Sequence, residues 1–256
     1  MTGRLLEARG LEKSYGALKV TKGVSLHVDT GEVLAVIGPN GAGKTTLFKV
    51  LTGETRLDGG SVSFKGRDIT TMSAHQRVRL GFGRTFQVAR IFPEMTALEN
   101  VIVAIESLGS AGPAPRLRLG WWPRREVAEL GRHYLKEVGL DGKALQEAGF
   151  LSHGDKKRLE LACCLALKPR ILMLDEPTAG MSPGDRRQAV DLIMRIKRDH
   201  DLSIMLTEHD MGVVFGMADR IVVLNYGELI AEGTVEMVRA NERVREIYLG
   251  SGALDA

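Results

Sequence analysis

Short apolar runs alternate with longer stretches of helical period along this chain. Val33–Ile37, Ile171–Leu174, Ser203–Leu206 and Ile221–Leu224 are each four or five residues long, rich in Val, Ile, Leu and Met, and bounded by turn residues. Runs of that length with no polar alternation predict strands buried on both faces. Helical patterns occupy Lys44–Leu51, Arg186–Asp199 and Met211–Met217. Strand and helix in alternation predict a parallel sheet covered by helices on both sides. Asn225-Tyr226-Gly227 separates two strand-like runs and predicts a terminal hairpin. The tail from Thr234 to Leu249 reads as helical, with Val244, Ile247 and Tyr248 on one stripe.

The middle differs. From Thr96 to Phe150 the pattern is mainly helical, broken by GSAGPAP (Gly109–Pro115) and followed by the basic, aromatic RLRLGWWPRR (Arg116–Arg125). This predicts a helical subdomain inserted into the α/β core. Trp121 and Trp122 have two readings: anchors packing a loop onto the subdomain, or contacts to a membrane partner or lipid headgroups, a boundary that suits Trp and Arg. Leu151 to Cys164, LSHGDKKRLELACC, places Ser152 three residues before Asp155 ahead of an apolar run. That spacing predicts a capping box at a helix start.

Composition adds mostly exclusions. The 256 residues are 44% hydrophobic and 26% charged with a formal charge of +3, ordinary for a globular chain and too weakly basic to argue for nucleic acid. No apolar run approaches the ~20 residues of a bilayer span, and MTGRLLEARGLEK lacks the apolar core of a signal peptide. The two cysteines, Cys163 and Cys164, are adjacent, without metal-ligand spacing or a disulfide partner, so a reducing cytosol is expected. No internal repeat is visible.

The chemistry begins at Gly38-Pro39-Asn40-Gly41-Ala42-Gly43-Lys44-Thr45, a complete G-x-x-x-x-G-K-[ST] motif between the strand-like VLAVI and the helix-like TTLFKVL. Glycines let backbone N–H groups converge on phosphate oxygens, and the helix N-terminus adds a favourable dipole. Lys44 supplies a point charge for the β- and γ-phosphates, and the Thr45 hydroxyl is placed to hold Mg²⁺. Downstream, Ile171–Leu174 delivers Asp175 and Glu176 at a strand end, where open α/β sheets bind ligands. Asp175 suits the Mg²⁺ shell, and Glu176 is left to accept a proton from the attacking water or to orient it. The guanine-reading N-K-x-D motif is absent, which argues against a GTPase.

Further stretches decide the class. Over nearly its whole length the chain resembles the ATP-binding cassette (ABC) subunits of membrane transporters, on an ordered set of motifs: Tyr15 in KSYGALK, Gln87 in GRTFQVARIFP, LSHGD, and His209 in LTEHD. The resemblance implies an α/β P-loop fold with a mixed β core, flanking helices and an inserted α-helical subdomain. It implies one ATPase domain over residues 1–256, with 1–87 and 165–256 as nucleotide-binding core and 88–164 as helical subdomain with the signature. It further implies that Tyr15 stacks on adenine, that Thr46 belongs to the phosphate loop, that Gln87 contacts the metal or attacking water, and that His209 contacts the γ-phosphate. LSHGD matches the signature segment, commonly LSGGQ, whose helix points at ATP held by a second cassette. An uncapped helix start carries free N–H groups and partial positive charge; Ser152 and Gly154 would let it receive a γ-phosphate across an interface.

Three positions depart from the common pattern. His153 replaces the first glycine of the signature, as in branched-chain amino-acid and urea importer cassettes. Asp155 replaces the usual glutamine, adding a negative charge that Lys156, Lys157 and Arg158 are expected to offset. The loop after the acidic pair, which often ends in aspartate, is here Ala179-Gly180-Met181-Ser182. LSHG, DEPTAGMSP and the closing REIYLG look like the branched-chain amino-acid importer family with its amide and urea relatives. That resemblance implies ATP and Mg²⁺, a second cassette of the same or a different chain, permease subunits, indirectly a periplasmic binding protein, and a cytoplasmic position on the inner face of the membrane. The alternatives are a lipopolysaccharide-export cassette, a soluble ABC ATPase acting on ribosomes or DNA, or a regulatory subunit with little turnover.

Overall fold

The computed structural model describes residues 3–109 and 124–248; Trp121, Trp122 and most of the Arg116–Arg125 stretch lie outside them. The chain divides into two compact units, Met1–Arg84 with Arg170–Ala256, and Thr85–Pro169. The first begins with β1 (Arg4–Tyr15), β2 (Leu18–Asp29), β3 (Val33–Ile37), α1 (Lys44–Leu51), β4 (Gly59–Phe64), β5 (Arg67–Asp68), α2 (Ala74–Leu80) and β6 (Phe82–Arg84). The second contains α3 (Ala97–Gly109), α4 (Arg125–Glu137) and α5 (His153–Ala166). The chain then returns through β7 (Ile171–Asp175), α6 (Pro183–Asp199), β8 (Ser203–Thr207), α7 (Met211–Met217), β9 (Arg220–Asn225), β10 (Glu228–Gly233), α8 (Val235–Ala240) and α9 (Glu242–Tyr248).

The predicted parallel sheet is present as β10-β9-β3-β8-β7-β6, parallel throughout except for the β9–β10 hairpin at Asn225-Tyr226-Gly227. Every residue of β3, β7 and β8 is buried, which is why their sequences lack alternation. A second sheet, β2-β1-β4-β5, is entirely antiparallel, so the β core is mixed, as the resemblance implied and the alternation of apolar runs did not show. Register shifts in the β1–β2 pair at Arg4/Leu6 and Ala8/Leu11 bury Leu5, Leu6, Ala8 and Leu11. These irregularities break the period-two signature by which a half-buried strand is read. The core of this unit joins both sheets to α1 through Leu6, Leu11, Val28, Val36, Phe48 and Phe82.

Arg77 of α2 ties these layers together. Its fully buried guanidinium donates to the carbonyls of Val50 (2.9 Å) and Leu51 (2.6 Å) at the end of α1, and to those of Ile69 (2.8 Å), Thr70 (3.0 Å) and Met72 (3.2 Å). A cation at a helix C-terminus also meets the negative end of its dipole. Burial pulls the Arg77 group down to about 10, with Asp68 acting the other way.

Two helix boundaries differ from the periodic reading. Helix α6 starts at Pro183, three residues before Arg186, because Ser182 accepts a hydrogen bond from Asp185 N–H (3.3 Å) as N-cap and Pro183 follows it. The tail is two helices, since Asn241 is extended (ψ 119°) and its Oδ1 accepts from Val244 N–H (3.2 Å). Val244 is fully buried.

Within the second unit, α3 packs on α4 and α5, and the core includes Val101, Ile102, Leu135 and Leu159. Among the described residues, no helix is long and apolar enough to cross a membrane.

Candidate nucleotide site

The sheet brings three loops to one edge. Thr207 at the end of β8 pairs with Val36 of β3 on one side and with Asp175 of β7 on the other. Residues just beyond those rungs are Gly38, His209 and Glu176, so sequence segments far apart emerge side by side at the carboxyl ends of parallel strands, where such sheets bind ligands.

The loop after β3 needs its glycines. A Cβ on Gly38 would lie 2.2 Å from the Leu224 carbonyl oxygen, and one on Gly43, at φ 102°, would lie 2.7 Å from that of Val20. Either substitution displaces backbone. Pro39, Asn40, Gly41 and Ala42 complete the turn, with Asn40 and Gly41 exposed. Ala42 accepts from Gly227 N–H (3.1 Å), so the β9–β10 turn braces the loop. Helix α1 begins with Gly43, without a side-chain cap and without an acidic residue in its first turn. Its N–H groups and dipole thus carry positive character suited to an anion. Lys44 is buried and its Nζ donates to the carbonyls of Gly38 (2.6 Å) and Pro39 (3.1 Å). Burial lowers the Lys44 pKa, and the charges of Glu176 and Asp175 oppose that shift. Thr45 is exposed and Thr46 half-buried beside it.

Asp175 is buried, accepts from Thr207 Oγ1 (2.8 Å) and pairs with Arg84 (3.2 Å), whose other nitrogen also meets Thr52 (3.1 Å) and Glu54. Glu176 has φ 49°, a left-handed conformation held by its N–H donating to Thr207 O (3.1 Å) and Oγ1 (3.2 Å). Its Oε1 lies 2.8 Å from His209 Nε2. Tyr15 ends β1, 49% exposed, with Lys13 Nζ 5.6 Å from its ring centroid. Lys13 (2.6 Å) and Ser14 N–H (2.6 Å) both donate to Asp58, which fixes the segment before Tyr15.

In the helical unit, Gln87 is exposed on a segment clasped by α5. Buried Glu160 accepts from Phe86 N–H (3.2 Å) and Arg90 N–H (2.8 Å), while buried Lys157 donates to Phe86 O (2.7 Å). Desolvation raises the Glu160 pKa against those hydrogen bonds and the charges of Lys157 and Arg90. Ser152 is the exposed N-cap of α5 and accepts from Asp155 N–H (3.1 Å). The reciprocal half of the predicted capping box is replaced: Asp155 accepts from Lys143 (2.5 Å). An aspartate is one methylene shorter than the Glu or Gln that completes such a box. Burial works to raise the Asp155 pKa, but hydrogen bonds from Lys143 and Ser152, with the charges of Lys143 and Arg158, carry it below the ordinary range. Lys143 thus joins Arg158 in the neutralising part expected of Lys156, Lys157 and Arg158, while Lys157 faces inward. His153 is exposed beside Ser152, and a Cβ at Gly154 would meet nothing within 4 Å in this chain.

Glu208, Glu160, Arg84 and Thr207 hold these segments, and none was visible as a site residue in the sequence. Their partners lie 30 to 91 positions away; only the order of the strands, or the packing of α5, brings them together.

A glycine-lined loop on a helix start, facing an acidic pair and a histidine across adjacent strand ends, defines a P-loop ATPase of the cassette type. The chain belongs to the ABC transporter family: the model described as "ABC transporter" matches residues 21–179, and one described as "Branched-chain amino acid ATP-binding cassette transporter" matches residues 228–253. It is an ATP-hydrolysing cassette of that family.

Among its relatives, the high-affinity branched-chain amino acid transport ATP-binding protein BraF of Pseudomonas aeruginosa is 41% identical, covering 98% of this chain and 99% of its own. LivG of Escherichia coli, named for the same role, is 38% identical with the same coverage. The lipopolysaccharide export ATP-binding protein LptB of Acidithiobacillus ferridurans is 34% identical over 96% of this chain and 97% of its own. A crystal structure of a nucleotide-free cassette from an ABC transporter superposes with a TM-score of 0.85 at 31% identity, covering 96% of this chain and 99% of that one. The ADP conformation of an ATP-binding cassette of an ABC transporter gives 0.84 at 31% identity, with 98% and 100% covered.

Proposed function

We propose that residues 1–256 form one ATPase domain that drives a membrane importer for branched-chain amino acids or related amides. The match of residues 228–253 to the branched-chain model is the observation that carries the substrate class; it favours this reading over lipopolysaccharide export. Permease subunits, a periplasmic binding protein and a second cassette are the partners, and the domain works from the cytoplasmic face of the membrane.

ATP is gripped by the loop Gly38–Thr46, with Lys44 on the β- and γ-phosphates and Tyr15 against adenine. Lys44 then exchanges its loop carbonyls for phosphate oxygens. The Thr45 hydroxyl and Asp175 are hard oxygen donors suited to Mg²⁺, and the side-chain oxygen of Gln87 is of the same donor type. When bound, the metal neutralises charge on the phosphates. Glu176 accepts the proton of the attacking water, and His209, beside it, orients that carboxylate and meets the γ-phosphate. Ser152 and Gly154 present the start of α5 to ATP of the second cassette, where open space over Gly154 admits a phosphate. Catalysis is positioning and charge stabilisation, since phosphoryl transfer leaves a protein little covalent chemistry.

The test is uptake of labelled leucine, isoleucine and valine by cells whose chromosomal copy carries Lys44→Ala. Uptake falls to background while permease levels hold. Undiminished uptake of all three, with loss of another solute, would reassign the substrate. Removing a charge-assisted phosphate contact also lowers ATP affinity about 10- to 100-fold.

A further inference from the structure

The loops after β7 and β8 are stitched by successive side-chain pairs. Asp175 takes Thr207, Glu176 takes His209, and Arg186, which also donates to Met181 O (3.1 Å), takes Asp210. At the centre stands Glu208, 4% exposed. Its Oε1 accepts from Thr178 N–H (2.9 Å) and Thr178 Oγ1–H (2.6 Å), and its Oε2 accepts from His209 N–H (3.0 Å). One buried carboxylate therefore receives three hydrogen bonds, all from uncharged donors, two from one loop and one from the other.

Its position in the chain matters. Glu208 directly precedes His209, and Thr178 lies two residues after Glu176 with the rigid Pro177 between. Glu176 is left-handed at φ 49°, a conformation that a non-glycine residue holds only when its surroundings impose it. Thr207 fixes it on the amino side and Glu208, through Thr178, on the carboxyl side.

We propose that Glu208 is a positioning residue for ATP hydrolysis: by holding Thr178 and the His209 backbone on one carboxylate, it sets Glu176 against His209. The inference rests on the reading of those two residues as the hydrolytic pair. Misplacement of a reacting group by an ångström costs on the order of 100-fold in rate, so the effect falls on turnover rather than on nucleotide binding, which uses the loop after β3.

The experiment measures Mg-ATP turnover and ATP affinity of the full chain in Glu208→Gln, Thr178→Val, Thr178→Ser and the double variant Glu208→Gln/Thr178→Val. A glutamine turns one acceptor into a donor, so a donor meets a donor at Thr178 or at His209. Expected are kcat losses of about 10- to 100-fold in Glu208→Gln and Thr178→Val, ATP affinity within about threefold, recovery of most turnover in Thr178→Ser, and a double variant no worse than the poorer single. Wild-type kcat in both Glu208→Gln and Thr178→Val overturns the proposal, as do losses that track only the folded fraction or losses that multiply in the double variant. Should Glu208→Gln not fold, Thr178→Val against Thr178→Ser decides alone: equal turnover in the two overturns it. Glu176→Gln is run beside them. If it abolishes turnover while Glu208→Gln and Thr178→Val do not reduce it, the positioning role fails; if Glu176→Gln itself turns over normally, the hydrolytic pair was misassigned.

Discussion

His209 Nε2 sits 2.8 Å from Glu176 Oε1, although 33 positions separate them. The contact exists because β7 and β8 are parallel neighbours in register, Asp175 opposite Thr207, so both chains leave the sheet at the same height. A histidine that donates to a carboxylate fixes its orientation. The pair thus gives the Glu176 carboxylate a defined direction at the strand ends.

Asp155 introduces a carboxylate into the first turn of the helix proposed to meet a phosphate, and Lys143 neutralises it at 2.5 Å. Lys143→Met should therefore weaken ATP-driven association of cassettes, while Asp155→Gln should strengthen it and cancel the effect of Lys143→Met in the double variant. Analytical ultracentrifugation with ATP at two salt concentrations measures this, the differences shrinking at high salt. Because the Asp155 pKa is lowered in the folded chain, the group stays ionised at any ordinary assay pH. Its contribution to stability is present above the unfolded carboxyl value and is lost only as pH falls through the lower folded value.

Glu160 carries the opposite sign. Desolvation raises its pKa, so the folded state binds the proton more tightly than the unfolded one. At neutral pH the chain bears the cost of a buried carboxylate, and that cost fades as pH falls through the folded value toward the unfolded one. The melting temperature of the wild type should rise relative to Glu160→Gln on going from neutral to mildly acidic pH. A constant difference across that range would mean that Glu160 is solvated in solution.

Arg77→Met removes one donor from each of five backbone carbonyls and uncaps the end of α1. Loss of a buried, fully engaged cation costs about 3–5 kcal/mol, a fall of roughly 10 °C in melting temperature. Arg77→Lys should recover little of it, because an ammonium cannot span the sites that the planar fork reaches.

What could be read from sequence followed from how local each signal was. β3, α1 and α7 have the predicted bounds because uninterrupted apolar runs and the glycine-rich loop carry their own punctuation. Ser152 was legible as a cap, since capping spans three residues, but its Asp155 partner was not: Lys143 reaches it from outside the helix. The antiparallel sheet escaped the hydrophobic pattern, though not the resemblance, because bulges in β1 put Leu5 and Leu6 both inside. Glu208 and Glu160 escaped for a different reason. A buried glutamate beside a histidine or within a helix has no spacing rule, and its purpose shows only when the fold supplies its donors.

Single-turnover hydrolysis of labelled ATP by the full chain, wild type against Glu176→Gln, bears most directly on the site described above. With the Lys44 loop intact, the variant should bind ATP with unchanged or greater affinity and cleave it at least about 100-fold more slowly. Equal rates in the two proteins would show that the proton of the attacking water goes elsewhere, and would contradict the account.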